Sequence, residues 1–323
     1  MGAFTFVPVW VIEDAILYLA ALLTLIYIIR NERRPDIILV EFASFVVLYA
    51  AVYENFATYV AVRMQFYGYG RSLISIFNVP LSVPIFEYLV VYSSLKLLDT
   101  MRMPTWCKPF VLGMLAILAD FSLDPVAVKQ IFQTAEGTMG RWTWLYGPND
   151  VRIFSEPVFN FTGWALICGW GATFLMIGRR LFERSSERKV VGYLYPPIAM
   201  LVSLVVVVSP LSNFLLWLGP FFHRGSITEW VMLGFFLLFP AALLLAGWRG
   251  RMAGGLSLGQ DYPVFLVLGG LPVVNILFAA IGAYWEIIPL QAAALLVTWV
   301  LLAAAYVKGR AALRREVVPG RLV

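Results

Sequence analysis

The chain has 323 residues, 61% of them hydrophobic and 13% charged, with a formal net charge of +5 and a mean hydropathy of +0.82. A soluble domain carries about 25% charged residues, so a soluble fold is excluded and an all-α polytopic membrane bundle is expected, with room for roughly nine spans of about 20 residues. Lys and Arg are sorted by loop rather than gathered in one patch, which excludes nucleic acid as a partner; a single histidine, His223, and two cysteines, Cys107 and Cys168, exclude a multi-histidine metal centre and a disulfide framework.

Apolar runs predict spans near 9–29, 37–62, 79–99, 108–124, 157–179, 191–217, 227–248, 262–283 and 287–307. The first 14 residues hold Glu13 and Asp14 but no Lys or Arg, so no signal peptide is expected. Span two carries Glu54 and Asn55 inside its apolar run, and span three carries Glu87 beyond Pro80 and Pro84. Span four ends on Asp120 and Asp124, with Pro125 expected to break the helix just beyond them. The segment 125–156, rich in Gly, Trp and charge, is expected as a short interfacial helix or re-entrant loop. Glu156 opens span five, which continues through Asn160 and Trp164; Pro196-Pro197 kinks span six, and His223 beside Arg224 reads as loop. No internal repeat or linker is visible, so residues 1–323 are expected to form one transmembrane domain.

Seventeen of the 24 Lys and Arg fall in alternate loops, from Arg30, Arg33 and Arg34 to Arg321. The positive-inside rule places that side in the cytoplasm, with the N-terminus outside, the C-terminus inside and a multi-pass protein of the cell membrane. At 1.5 Å per residue Glu54 then lies roughly 27 Å above the inner surface, and Glu87 roughly 12 Å below the outer one. Asp120, Asp124 and Glu156 fall on the same outer side, so the acids are expected in one cavity of the outer leaflet, without intramembrane basic partners. A carboxylate in hydrocarbon costs roughly 2.5–3.5 kcal/mol on insertion scales unless paired or neutralised, which makes each a candidate functional group. The i,i+4 spacing puts Asp120 and Asp124 on one helix face. Simpler readings stand beside these: Glu13 and Asp14 as an interfacial first turn, and Trp142 and Trp144 as an aromatic belt.

Three segments carry a resemblance. They are Glu54-Asn-Phe with its following Tyr/Gly-rich loop and Asn78-Val-Pro-Leu-Ser-Val-Pro84; Asp120-Phe-Ser-Leu-Asp-Pro-Val-Ala127 with Trp142-Thr-Trp144; and Pro157-Val-Phe-Asn-Phe-Thr-Gly-Trp164. In order and content, over about residues 45–180, the chain resembles the integral-membrane carotenoid biosynthesis family that includes bisanhydrobacterioruberin hydratase and the carotenoid 1,2-hydratases. The resemblance implies water addition across a terminal isoprenoid double bond of a lipid-soluble polyene, beside other carotenoid-pathway enzymes. Protonation of the alkene and water capture of a tertiary cation need acids and aromatic faces, and no cofactor or metal. The catalytic candidates are Asp120, Asp124 and Glu54: one aspartate as acid, the other with Glu54 on the water. Glu87, Asn78, Asn160, Trp142, Trp144, Tyr67 and Trp164 are the substrate-binding candidates. A cyclase or isomerase that discharges the same cation by proton loss, and a proton-coupled transporter using buried acids, remain as alternatives.

Overall fold

A computed structural model describes residues 7–64, 67–134, 137–144, 151–209, 211–212, 227–248 and 255–317. His223, Arg224, Arg249, Arg251 and Arg321 lie outside the described residues.

The chain is an all-α membrane bundle. Helix α1 (Pro8–Asn31) is followed by α2 (Pro35–Ala43), which passes through a π-helical turn, Ser44–Ala50, into α3 (Ala51–Met64). Then come α4 (Ser82–Asp99), α5 (Lys108–Lys129), α6 (Val158–Arg184), α7 (Lys189–Val208) and α8 (Ile227–Trp248). A short α9 (Tyr262–Phe265) runs through a second π turn, Leu266–Gly270, into α10 (Leu271–Ile281), and α11 (Ile288–Val317) ends the described chain. Proline at the first or second position starts α1, α2, α5, α9 and α10. Its fixed φ suits a first turn, whose N–H has no intrahelical partner anyway.

Among the described residues eight helical segments are long and apolar enough to cross a membrane. The ninth expected span, 79–99, is α4, whose 18 residues include Glu87, Lys96 and Asp99. Those charges are tolerated because fifteen of its residues are buried in protein rather than turned to lipid. Helix α5 is the other central element: 94% of its apolar window is buried, against 33% for α1 and 28% for α8. It packs against α4, α6, α8, α10 and α11.

Two expectations are corrected. Pro125 does not end its helix; α5 continues to Lys129. Proline removes one N–H and crowds the preceding turn, and in this turn the buried Gln291 of α11 donates through Nε2 to the Ser122 carbonyl at 2.7 Å. The segment after α5 is neither an interfacial helix nor a bare loop. Strands β4 (Ile131–Thr134) and β5 (Gly137–Gly140) form a hairpin, and β6 (Trp142–Trp144) pairs antiparallel with β1 (Tyr67–Tyr69), Tyr67 opposite Trp144 and Tyr69 opposite Trp142. Trp-Thr-Trp has the period of a strand, and Trp142 and Trp144 turn inward while Thr143 turns out. Two tight hairpins complete this end, β2 (Ser75–Ile76) with β3 (Val79–Pro80), and β7 (Arg152–Ile153) with β8 (Glu156–Pro157).

Intramembrane basic partners do exist. Arg179, which the sequence places in a loop, lies within α6 and donates to Glu41 of α2 through Nε at 2.8 Å and through Nη2; the Tyr195 hydroxyl also donates to Glu41. Lys96 of α4 binds Glu32 at 2.6 Å. Both pairs lie at the arginine-rich end, away from the strands.

Candidate active site

At the strand end, α3, α4, α5 and β8 bring five carboxyl groups together. Asp120 and Asp124 are fully buried, and Asn160 of α6 donates through Nδ2 to both, at 3.2 Å and 2.7 Å. The two aspartates lie one helical turn apart on α5, within electrostatic reach of each other. Glu54 accepts the hydroxyls of Tyr67 (3.0 Å) and Tyr69 (2.8 Å) on its Oε2. Glu87 is 1% exposed and lies within electrostatic reach of Glu54 and Asp124.

The fifth member, Glu156, was placed by the sequence on the same outer side as the aspartates, at the start of a span, but given no role in the site. Its position comes from the β7–β8 hairpin, whose turn residues Phe154 and Ser155 both have positive φ, 50° and 74°. That is the backbone of a tight two-residue hairpin, costly for residues other than glycine. The strained turn delivers Glu156 to full burial beside Asp120 and Asp124. Burial, and then the charge of Asp124, push the Glu156 carboxyl well above the ordinary carboxylate range. The Trp144 indole faces it without the geometry of a hydrogen bond.

Satisfaction is poor where it matters. Glu87 Oε2, Asp120 Oδ1, Asp124 Oδ1 and both oxygens of Glu156 are buried with no hydrogen-bond partner, as are the indole nitrogens of Trp142 and Trp144. Buried polar atoms are almost always paired, so this concentration marks a site rather than a packing device. Among the described residues no Lys or Arg bonds to any of the five acids, and no three of them are placed to hold one metal ion.

The acids were expected to line a cavity. Among the described residues none of the five lines the cleft that lies one side chain away. Trp164 lines the cleft and reaches Asp124 with its indole. Tyr69 lines it and binds Glu54, and Trp142 completes the aromatic screen. Opposite stand Ile16 and Leu17 of α1, and Leu271, Val274, Asn275 and Phe278 of α10. Arg141 also lines the cleft, and its guanidinium binds Glu13 and Asp14 of α1, the latter at 3.1 Å. Gly70 is obligatory here, since a Cβ would sit 2.4 Å from the Gly140 carbonyl oxygen.

Of the ten sequence candidates, Asp120, Asp124, Glu54, Glu87, Asn160, Trp142, Trp144, Tyr67 and Trp164 converge on this region. Asn78 does not. It sits in the exposed β2–β3 turn, where its backbone N–H donates to Asn55 Oδ1 at 3.0 Å. The Asn-Val-Pro segment is a turn whose backbone is held by the Asn55 side chain, through Oδ1 to the Asn78 N–H and through Nδ2 to the Ile76 carbonyl. The sequence put Tyr69 and Glu156 at this level without assigning them to the site, and missed the α10 wall. Tyr69 was signalled by its i,i+2 relation to Tyr67, which puts both rings on one strand face; α10 carries no signal beyond apolarity.

No curated protein and no solved structure matches the chain. The family described as carotenoid biosynthesis protein matches residues 13–223, which span every one of the five acids and both strands of the aromatic screen. With this match over most of its length, the chain belongs to the carotenoid biosynthesis protein family.

Proposed function

We propose that this protein is a carotenoid hydratase, adding water to a terminal isoprenoid double bond of a membrane-dissolved polyene. The observation that carries the reading is the set of five buried carboxyl groups, bonded to no cation among the described residues, backed against an aromatic-walled apolar cleft. An isolated buried carboxylate costs tens of kcal/mol by Born solvation in a medium of low dielectric, and such groups neutralise instead. The cluster therefore holds protons as carboxylic acids.

One of Asp120 and Asp124 gives its proton to the less substituted carbon of the double bond, leaving a tertiary cation on the dimethyl-bearing carbon. The faces of Trp164, Tyr69 and Trp142 stabilise that cation through their ring quadrupoles. A water held by the other aspartate and Glu54 bonds to the cation through oxygen. Its surplus proton returns to the carboxylate, which restores the acid. No electrons leave the substrate, so the reaction needs no oxidant, reductant or cofactor. Trp164 stands between cleft and Asp124, so the end group reaches the acid when this side chain turns aside. Asn160 holds the two aspartates in register, and Glu87 and Glu156 keep the cluster short of negative charge.

The test is the pigment extracted from a host that makes an acyclic carotenoid. The wild-type chain should convert it to a product heavier by one water. Asp120→Asn and Asp124→Asn, nearly isosteric but unable to supply the proton, should each lower conversion by about 10²–10⁴-fold at equal protein level. An isomerised or cyclised pigment of unchanged mass would replace the hydratase by an enzyme that discharges the cation by proton loss. Unchanged pigment, or full conversion by both variants, would overturn the assignment.

A further inference from the structure

The family match ends at residue 223, yet one wall of the cleft is built by α10, residues 271–281. Along Leu-Pro-Val-Val-Asn-Ile-Leu-Phe-Ala-Ala-Ile, Asn275 is the one side chain that can hydrogen-bond. It lines the cleft with Val274 and Phe278 of the same helix, as does Trp164 of α6. Its orientation is set from behind. Nδ2 donates to the Ser122 hydroxyl at 3.2 Å, and that hydroxyl donates onward to the Ala119 carbonyl at 2.6 Å. Ser122 lies on α5 between the two catalytic candidates Asp120 and Asp124. With its nitrogen so anchored, Asn275 leaves Oδ1 with no protein donor and unsealed, in a wall otherwise made of hydrocarbon.

A lone acceptor on an apolar wall has no use for a pure hydrocarbon. It recognises a ligand that brings an O–H donor. We propose that Asn275 is a specificity-determining residue that binds, in the cleft, the hydroxyl group of the tertiary alcohol. The proposal rests on the hydratase reading only for the origin of that hydroxyl. It gives the C-terminal helices, which the family match leaves out, a part in choosing the ligand. It also explains why α10 is pinned to α5 at this level by Asn275 and, from α11, by Gln291.

The experiment uses the full chain in detergent, with a polyene bearing a terminal tertiary alcohol and its parent hydrocarbon as probes. Binding is read by quenching of tryptophan fluorescence, since Trp142 and Trp164 line the cleft. Wild type should bind the alcohol about fivefold more tightly than the hydrocarbon, the worth of about one neutral hydrogen bond. Asn275→Leu, of similar size, should bind both alike. Asn275→Ala, which cannot clash, should also lose the preference if the leucine variant fails to fold. Val274→Ala, on the same wall, should weaken both ligands and keep the preference. In the pigment assay the alcohol share of the consumed polyene should fall in the Asn275 variants. Equal discrimination by wild type and by either Asn275 variant overturns the proposal, as does a wild type with no preference. A wild type that prefers the alcohol yet forms none from acyclic carotenoid would sink the hydratase reading and leave the Asn275 assignment standing.

Discussion

Glu156 shows how much one residue's placement decides. In sequence it is a charged residue before an apolar run; in the structure it is fully buried with both oxygens unpaired, at the head of α6. Burial comes first and the Asp124 charge second in holding its carboxyl above the ordinary value of 4.5. The folded protein therefore binds a proton that the unfolded chain releases above that value. Stability contributed by this group is full below pH 4.5 and is lost as pH rises towards the folded-state value, the reverse of a salt-bridged acid. Glu156→Gln keeps the shape and removes the titration. We expect the variant to melt higher than wild type at pH 7 to 8, with the difference shrinking by pH 4.5, in thermal melts in one detergent. A variant that melts lower across the whole range would show Glu156 to be ionised and paired. The aspartates were legible for a reason that does not apply to Glu156: i,i+4 spacing within a single helix is a local property. Glu156 depends on a strained turn, and nothing in Phe154-Ser155 announces positive φ.

Among the elements, α2 and α6 are joined by the buried Glu41–Arg179 pair with Tyr195 of α7. Glu41 is fully buried and the Arg179 side chain about three-quarters so, and removing the carboxylate leaves a partly buried guanidinium without its charge partner. Glu41→Gln should cost about 3–5 kcal/mol of stability, whereas Glu41→Leu with Arg179→Leu should recover most of it, because a hydrophobic pair need not be desolvated. Equal losses in the single and double variants, measured by chemical unfolding, would refute this. The sequence reading missed the pair because it took arginine at a helix end for loop, and a helix boundary is the least certain feature of a hydropathy profile. The same limit explains Pro125. Proline leaves the Phe121 carbonyl without its helical donor, yet α5 runs on to Lys129, and a local rule does not register that this turn is held from outside by Gln291, some 170 positions along, on the adjacent Ser122 carbonyl.

At the scale of the molecule, the acid cluster lies opposite the arginine-rich loops, and we propose that the strand end faces outward. A cysteine at the exposed Thr138 should then react with a membrane-impermeant maleimide on intact cells, and one at the exposed Arg184 should not; the native Cys107 and Cys168 are buried and give little background. Labelling in the opposite sense would invert the topology. Apolar runs of about 20 residues determined the spans, because a helix must satisfy its own backbone in lipid and rises 1.5 Å per residue. Charges inside those runs also singled out Glu54, Glu87, Asp120 and Asp124, since burying each is costly enough to demand a reason. Rotation of each helix was another matter. In hydrocarbon both faces of a span are apolar, so no polar stripe reveals which face turns inward. Only the tertiary structure decided that Tyr69, Trp142 and Trp164 stand between the acids and the cleft, that Asn78 lies in an exposed turn, and that α10 supplies a wall of the cleft. Each depends on contacts between segments far apart in the chain, which are set by packing against α4 and α5 rather than by any local pattern.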